Sequence, residues 1–333
     1  MEFTTGVRAE IRISAADVGK RVSVRSETGP GAEPARFTDT VGVLTSWTDG
    51  VLRVTRRNGE VVRLAEGALF AAKVVPAAPA RRRGIPAGDV RELTEVAARG
   101  WPAPEQERIG DWICRAADGW TRRANSAVPS GPGEPDIHRI TSWYAARGLP
   151  AQLHLPTGSA AGRELLAAEL DRQGWTATGH AVLLVAGLAA LADREPDHRV
   201  VVEHEPTGTW LRGYPRAADH PEAALRVLPA GPDVFFATVP GRGADPAAVG
   251  RCVVDGRWAG FAAIEVAPAH RREGLATAVM AELARDALAR GASAAYLQVE
   301  RDNEAAHRLY ERLGFAVHHH YHYRHRQRTG PVR

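Results

Sequence analysis

The sequence predicts an α/β protein of the α+β kind: a mixed sheet flanked by helices, built from two related copies of one segment and preceded by a small all-β barrel. Three observations carry this. Up to about residue 76, short strand-like stretches are separated by tight-turn dipeptides. Farther on, two segments share one order of helix, glycine, strand, helix, glycine, ending at Gly174-Trp175 and at Gly314-Phe315. Only the second leads a strand through an arginine-bearing loop into a long amphipathic helix. At 333 residues the chain exceeds one ordinary core. The expected division is a barrel over 1–76, a Pro/Gly/Arg linker over 77–89, a degenerate copy over 90–192, a complete copy over 193–327 and a tail over 328–333.

In the barrel, strands are expected over 21–25, 39–46, 51–55, 60–64 and 71–75. Asp49-Gly50 and Asn58-Gly59 between them are hairpin signals, because both dipeptides tolerate positive φ. Five closely spaced strands over this length resemble an SH3-like barrel, which by itself implies no activity. Residues 76–88 hold several Pro and Gly and the run Arg81-Arg82-Arg83, the composition of a linker with a solvated basic run. The first copy reads Ala146-Arg147-Gly148, a strand over 151–155, then Leu170-Asp171-Arg172-Gln173-Gly174-Trp175. The second reads Ala289-Arg290-Gly291, a strand over 295–299, then Tyr310-Glu311-Arg312-Leu313-Gly314-Phe315. Such a succession is common in α/β folds, so chance is the alternative to duplication. Ahead of the first copy's helix stands only Gly131-Pro132-Gly133-Glu134-Pro135, with neither arginines nor a helix-opening glycine. A duplication would have kept a ligand loop in the second copy alone.

Composition narrows the class. The hydrophobic fraction, 44%, is that of an ordinary soluble globular protein. The pI near 9.4 reflects arginine-rich composition, with a formal charge of only +4 and Lys20 and Lys73 as the sole lysines. No one stretch collects the charge, so a nucleic-acid partner is not expected. Cys114 and Cys252 are too few for a disulfide scaffold, so both thiols are expected free in a reducing cytoplasm. The charged, mixed residues 1–13 do not read as a signal peptide, and the longest apolar run, 181–192, is too short to span a bilayer.

The second copy carries the chemistry. Leu275, Val279, Leu283 and Ala287 fall at helical spacing with Glu282, Arg285, Asp286 and Arg290 opposite, so 274–290 reads as an amphipathic helix closed by Gly291. The apolar run 258–266 reads as a buried strand, paired to 251–254 through an Asp255-Gly256 turn. A strand entering a helix N-terminus through an arginine-bearing loop is an anion site, because the first N–H groups lack intrahelical partners and the dipole adds positive charge. Gly274 lets the backbone approach phosphate oxygens, Ala276 keeps the next turn small, and Arg271 and Arg272 supply screening charge. The glycine spacing matches neither a P-loop nor a dinucleotide fingerprint. An ordinary helix start with exposed arginines is the alternative on this stretch alone.

Val266-Ala267-Pro268, then Arg271-Arg272-Glu273-Gly274-Leu275-Ala276, then Asn303 and Tyr310 with Leu313-Gly314-Phe315 together resemble the GNAT superfamily of N-acetyltransferases over about 199–323. Ala276 stands where the family more often has a second glycine. The resemblance implies that the backbone of Ile264 to Val266 pairs with the pantetheine arm of acetyl-CoA where two parallel strands splay. It implies further that the amides of Arg272, Glu273, Gly274, Leu275, Ala276 and Thr277 hold the pyrophosphate, that Asn303 contacts the coenzyme and that Tyr310 sits near its sulfur.

Acetyl transfer to an amine needs that amine neutral, against a solution pKa of about 10, so a base or water chain must take its proton. The oxyanion needs a donor, which the family takes from a backbone N–H near Val266. A thiolate with a pKa of roughly 8.5 can be protonated or hydrogen-bonded by a phenol such as Tyr310, although a tyrosine on that helix could also be plain core. For the base, Gln298 cannot take a proton; Glu265, alone in an apolar strand, is the first choice as base or amine binder, with Glu300 or a water relay as alternatives. The histidines His318-His319-His320, His322 and His325 alternate faces of a strand, so they are expected to be exposed and to hold no metal.

The leading function is an acetyl-CoA-dependent N-acetyltransferase acting on a primary amine by direct attack in a ternary complex, with no metal. Its rivals are a non-catalytic acyl-CoA sensor with a partner-binding barrel, and an adaptor led by the barrel. The acceptor, a small-molecule amine or a protein amine, stays open, as does the choice between monomer and dimer. Loops 207–221 and 240–246 are expected to form the acceptor surface.

Overall fold

A computed structural model describes residues 10–27, 37–76, 85–158 and 162–326. The linker run Arg81-Arg82-Arg83 and the tail over 328–333 lie outside them. The chain divides into two compact units, residues 1–79 with 156–174, and residues 80–155 with 175–333.

The first unit is a six-stranded sheet of β1 (Ile11–Arg12), β2 (Arg21–Glu27), β3 (Phe37–Thr48), β4 (Val51–Arg56), β5 (Val61–Ala65) and β6 (Leu69–Val74) in the order β1-β6-β2-β3-β4-β5. The hairpin signals hold: Asp49 and Gly50 take φ 53° and 71°, the positive pair that a two-residue turn between β3 and β4 requires. Alternate residues Val22, Val24, Leu44, Leu52, Val54 and Leu64 close over one core.

The rest of the chain supplies α1 (Val90–Gly100), β7 (Glu105–Ile109), β8 (Trp112–Ala116), β9 (Val128–Pro129), α2 (Ile137–Ala145), β10 (Gln152–Thr157), α3 (Glu164–Arg172) and β11 (Thr176–Gly187). The short helix α4 (Leu188–Ala192) follows, then β12 (Val201–Glu203), α5 (Gly208–Arg212), α6 (Pro221–Val227), β13 (Asp233–Val239), β14 (Ala248–Asp255), β15 (Trp258–Val266), α7 (Leu275–Ala289), β16 (Ala294–Glu300), α8 (Glu304–Arg312) and β17 (Ala316–His325). Of these, α3 groups with the first unit. Thr157 Oγ1, just ahead of it, donates to the Arg57 carbonyl at 3.0 Å.

The succession α1-β7-β8-β9-α2-β10-α3-β11 is repeated as α6-β13-β14-β15-α7-β16-α8-β17. Both copies turn from helix to strand on left-handed glycines, Gly148 and Gly174 in the first, Gly291 and Gly314 in the second. In each, the third strand runs parallel to the fourth: β15 along β16, and Ala127, beside β9, in a parallel bridge to Leu153 of β10. The last strands are exchanged. The large sheet runs β10-β17-β11-β16-β15-β14-β13-β12, so β17 inserts beside the first copy's β10 and β11 beside the second copy's β16.

This exchange corrects two expectations. The boundary placed between residues 192 and 193 separates no structural units, because β11 pairs with β16 over Ala181–Gly187 and with β17 along most of its length. The histidine-bearing strand lies inside the sheet, between β10 and β11, and is not exposed; His319 and His322 are each 1% exposed. Among the described residues no group of three or more His, Cys, Asp or Glu is placed to hold a metal, and no helix is long and apolar enough to cross a membrane. Both cysteines are free and buried, and burial pushes the Cys114 thiol up to about 12.

The core lies on both faces of this sheet. Ala259, Phe261, Ala295 and Leu297 pack under α7, while Trp258 and Tyr296 pack on the opposite face with Leu93 and Ala97 of α1. Tyr296 is wedged between two glycines: a Cβ at Gly260 of β15 or at Gly100 of α1 would collide with its phenol. Gly260→Ala is therefore expected to cost ~1–3 kcal/mol through overpacking, read as a lowered thermal midpoint.

Candidate active site

The strand-to-helix turn of the second copy is built as the sequence predicts. After β15, a 3-10 turn at Pro268–His270 and the exposed Arg271, Arg272 and Glu273 lead to Gly274, the N-cap of α7, at φ 79° and ψ 1°. Arg272 is also left-handed, at φ 70°. No side chain caps the helix. Its first intrahelical bond runs from Ala278 N–H to the Gly274 carbonyl at 3.1 Å, so the N–H groups of Leu275, Ala276 and Thr277 have no intrahelical acceptor. Buried Leu275, Val279, Leu283 and Ala287 fix the helix on the sheet. The Glu273 carboxylate lies 3.4 Å from His270 Nδ1, outside the helix mouth.

The first copy's equivalent turn is filled by its own acids. Asp136 caps α2 by accepting from Arg139 N–H at 3.0 Å, and Asp111 Oδ2 accepts from Gly133 N–H at 2.8 Å. A bound anion there would face two carboxylates. The contrast drawn from composition, a ligand loop in the second copy alone, thus has a structural basis.

Beside the helix mouth the sheet opens. β15 and β16 pair in parallel from Trp258↔Ala294 to Phe261↔Leu297 and no farther, leaving residues 262–266 with a free edge toward β16. On its other edge β15 pairs with β14 as Arg251↔Ala262 and then Val249↔Glu265, so Ala263 and Ile264 form a bulge opposite Gly250, with Ala263 at φ 52°. One extra residue reverses the alternation of faces. Ile264 accordingly packs toward α7, where its Cδ1 lies with Val279 and Leu283 around Gly250. Val266 packs against the same core. Glu265 is turned the other way. Burial raises its carboxyl, and the Arg216 and Arg271 guanidinium groups oppose that rise.

Tyr310 projects from α8, partly buried, with its ring 5.9 Å from that of Phe315. Burial pushes its hydroxyl up to about 12, with a further push from the Glu265 carboxylate, so the two groups share one electrostatic environment. Asn303 is the N-cap of α8, its Oδ1 accepting from Ala306 N–H at 3.1 Å, which occupies the side chain locally. Glu300, at the exposed end of β16, lies 4.0 Å from Arg122. Gln298 accepts from Arg123 Nη1 at 3.4 Å.

Arg123 was not among the expected site residues. It belongs to the long connection between β8 and β9, whose second-copy counterpart is the two-residue turn Gly256-Arg257, one residue later than the Asp255-Gly256 expected from the sequence. On the sheet face opposite α7, Arg123 lines two adjoining hollows that reach Phe261, Ala262 and Gln298 at the mouth of the splay. The signal in the sequence was that difference in loop length, together with Trp101, Trp120 and Arg122-Arg123 within it and near it.

Comparison with known proteins agrees with this geometry. Residues 87–324 match the family described as "Probable histone acetyltransferase Rv0428c C-terminal", and residues 16–73 match "Rv0428c N-terminal Sm-like domain", so the small β domain read from strand spacing as SH3-like is Sm-like. The chain is 31% identical over 316 residues to "Probable histone acetyltransferase Rv0428c" of Mycobacterium tuberculosis, covering 94% of this chain and 97% of that one. It is 28% identical over 238 residues to "Uncharacterized N-acetyltransferase YobR" of Bacillus subtilis, covering 68% and 95%. A solved GCN5-related N-acetyltransferase from Kribbella flavida shares the fold at a TM-score of 0.51 and 19% identity, over 74% of this chain and 98% of that one. With a strand splay, an uncapped glycine-led helix, a matching family model over residues 87–324 and relatives whose names are those of acetyltransferases, the chain belongs to the GNAT family of N-acetyltransferases.

Proposed function

We propose that the protein moves an acetyl group from acetyl-CoA to a primary amine by direct attack within a ternary complex, without a covalent enzyme intermediate. The observation that carries this reading is the junction of two unpaired backbone surfaces: the bare N–H groups behind Gly274 and the free edge of β15 over 262–266. The first suits a diphosphate, with Arg271 and Arg272 adding charge around the amides of Arg272, Glu273, Gly274, Leu275, Ala276 and Thr277. The second suits the amide-bearing arm that follows it, paired to the backbone of Ile264 and Val266 as an added strand. Acetyl-CoA supplies the activated thioester.

The side chains divide the proton work. Tyr310, kept protonated by burial, can donate a hydrogen bond to the departing thiolate as its charge develops. Glu265, raised by burial and turned by the bulge to the face away from α7, can accept from the incoming ammonium. Asn303 serves mainly to start α8 and so to place Tyr310.

Tyr310→Phe is expected to lower kcat for thiol release by ~100-fold or more while leaving acetyl-CoA affinity within about threefold, since general acid catalysis contributes roughly 10²- to 10⁴-fold. Stopped assays of free thiol alongside calorimetric titration separate the two. Coenzyme binding with no thiol release above the protein-free rate, across a broad panel of amines, would favour a non-catalytic acyl-CoA sensor instead.

A further inference from the structure

The bulge in β15 is held from outside the sheet. Between the pairs Val249↔Glu265 and Arg251↔Ala262, β14 contributes one residue, Gly250, and β15 two, Ala263 and Ile264. The extra residue interrupts the ladder at this point. Here Trp210 Nε1, from α5, donates to the Gly250 carbonyl at 2.9 Å, and the indole is fully buried.

The segment around Trp210 fixes that indole. Thr207 Oγ1 accepts from Trp210 N–H at 3.2 Å and starts α5. The ring meets Phe236 of β13 edge-on at 5.0 Å and Tyr214 at 5.6 Å. A Cβ at Gly213 would come within 2.6 Å of both Pro246 and Val249, so the turn after α5 lies hard against β14 beside Gly250. From the first copy, Trp120 Nε1 donates to the Arg216 carbonyl at 2.7 Å and ties down the far end of the same segment. Residues 207–221, expected to face the acceptor, are thus fastened to the strand pair that carries Glu265.

The bulge needs such a contact. Ala263 takes φ 52°, a left-handed conformation that a residue with a Cβ enters at a cost. Without the extra residue the alternation of faces would flip: Ile264 would leave the α7 side, and the Glu265 carboxylate would fall among Val279 and Leu283 in the apolar core. The strained arrangement instead leaves Glu265 on the face away from α7, in the shared surroundings of Arg216, Arg271, Tyr214 and Tyr310. Backbone strain maintained by specific surrounding contacts is a feature of functional sites.

Resting on the acetyl-transfer reading above, we propose that Trp210 is a positioning residue of the reaction: its indole latches the β15 bulge at Gly250, and the bulge in turn aims Glu265 at the acceptor amine. Removing the indole N–H alone would leave the core filled and loosen the one point where β15 departs from regular pairing.

Trp210→Phe deletes the donor but also takes volume from a packed core, so the decisive variant of the full chain carries 3-benzothienylalanine at position 210, introduced with a suppressor tRNA. That side chain keeps the shape of the indole and places sulfur where the N–H stands. Hydrogen exchange across 262–266 should run ~3- to 10-fold faster, the worth of one lost hydrogen bond, with exchange in α7 unchanged. The kcat for thiol release should fall by ~10- to 100-fold with the KM for acetyl-CoA within about threefold, because a displacement of about 1 Å at the reacting groups can cost 100-fold. Two combinations separate positioning from mere packing. Ala263→Gly, which relieves the left-handed strain, should recover most of the lost kcat when joined to the sulfur analogue. In a Glu265→Gln chain the same replacement at position 210 should cost no more than about threefold, since the group it positions is gone. Unchanged exchange over 262–266, unchanged kcat against an active wild type, or full additivity with Glu265→Gln would each overturn the latch. A wild type that releases no thiol with any amine would instead overturn the acetyl-transfer reading, and the exchange would still decide whether Trp210 holds the bulge.

Discussion

Gly274→Asp is expected to weaken acetyl-CoA binding by at least ~100-fold while leaving the protein folded. A Cβ at this position meets nothing within 4 Å, so the side chain has room. The left-handed φ of 79° costs a non-glycine residue about 1 kcal/mol, and Asp as an N-cap returns a similar amount by accepting from the second or third N–H of α7. Net stability should therefore shift little. Binding responds differently, because the same carboxylate occupies the N–H groups a diphosphate would use and sets a negative charge against it. Losing two hydrogen bonds to a charged ligand, each worth ~1.5–3 kcal/mol, is ~3 kcal/mol or more, which is the hundredfold. Gly274→Ala supplies the control: it carries the backbone strain without the cap or the charge and should lose ~10-fold or less. Titration calorimetry of both variants with acetyl-CoA checks the pair, and wild-type affinity in the Asp variant would remove the helix mouth as the anchor.

That site was legible in the sequence because its parts are local. An apolar strand, a short arginine-bearing loop, a glycine and an i, i+3, i+4 apolar stripe lie within 33 consecutive residues, 258–290, and each acts on its immediate neighbours. The barrel's turns were legible for the same reason, since Asp49-Gly50 states its own φ requirement. What the sequence hid depends on pairing between distant segments. Nothing in Ala263 marks a bulge, as a glycine or proline would, yet that bulge decides which face Glu265 takes. The repeat was visible as a succession of elements, but the exchange of β11 and β17 between copies was not, because strand order is set by contacts more than a hundred residues apart in sequence. The misplaced boundary at residue 192 and the expectation of exposed histidines both follow from that omission. So does Arg123: its place beside the second copy's β15 and β16 depends on the same long-range pairing, which nothing near residue 123 in the sequence encodes.

The exchanged strands also make the fold sensitive to acid. His154 on β10 is 4% exposed and His322 on β17 1%. Burial lowers each to about 3, with Arg115 adding to the effect at His154, and Arg324, His180 and His154 adding to it at His322. His322 Nε2 accepts from Arg324 Nε at 3.1 Å, a bond that only the unprotonated nitrogen can make. In the unfolded chain both imidazoles titrate near the ordinary 6.5. Between that value and 3 the unfolded state therefore binds protons that the folded state refuses, so stability is full above pH 6.5 and falls as the pH drops. Each histidine contributes a slope of ~1.4 kcal/mol per pH unit, and the two together take away ~4 kcal/mol between pH 6.5 and 5, a large part of a typical 5–15 kcal/mol. Glu265, raised by burial, works in the opposite sense, but only as the pH approaches the carboxylate range. Urea unfolding at half-unit steps from pH 7.5 to 5 should show a steep loss beginning near 6.5. His322→Gln, whose amide oxygen can still accept from Arg324, should halve the slope whatever its stability at neutral pH. A stability that stays level from pH 7 to 5 would mean that the two imidazoles reach solvent, and the exchanged strands with them.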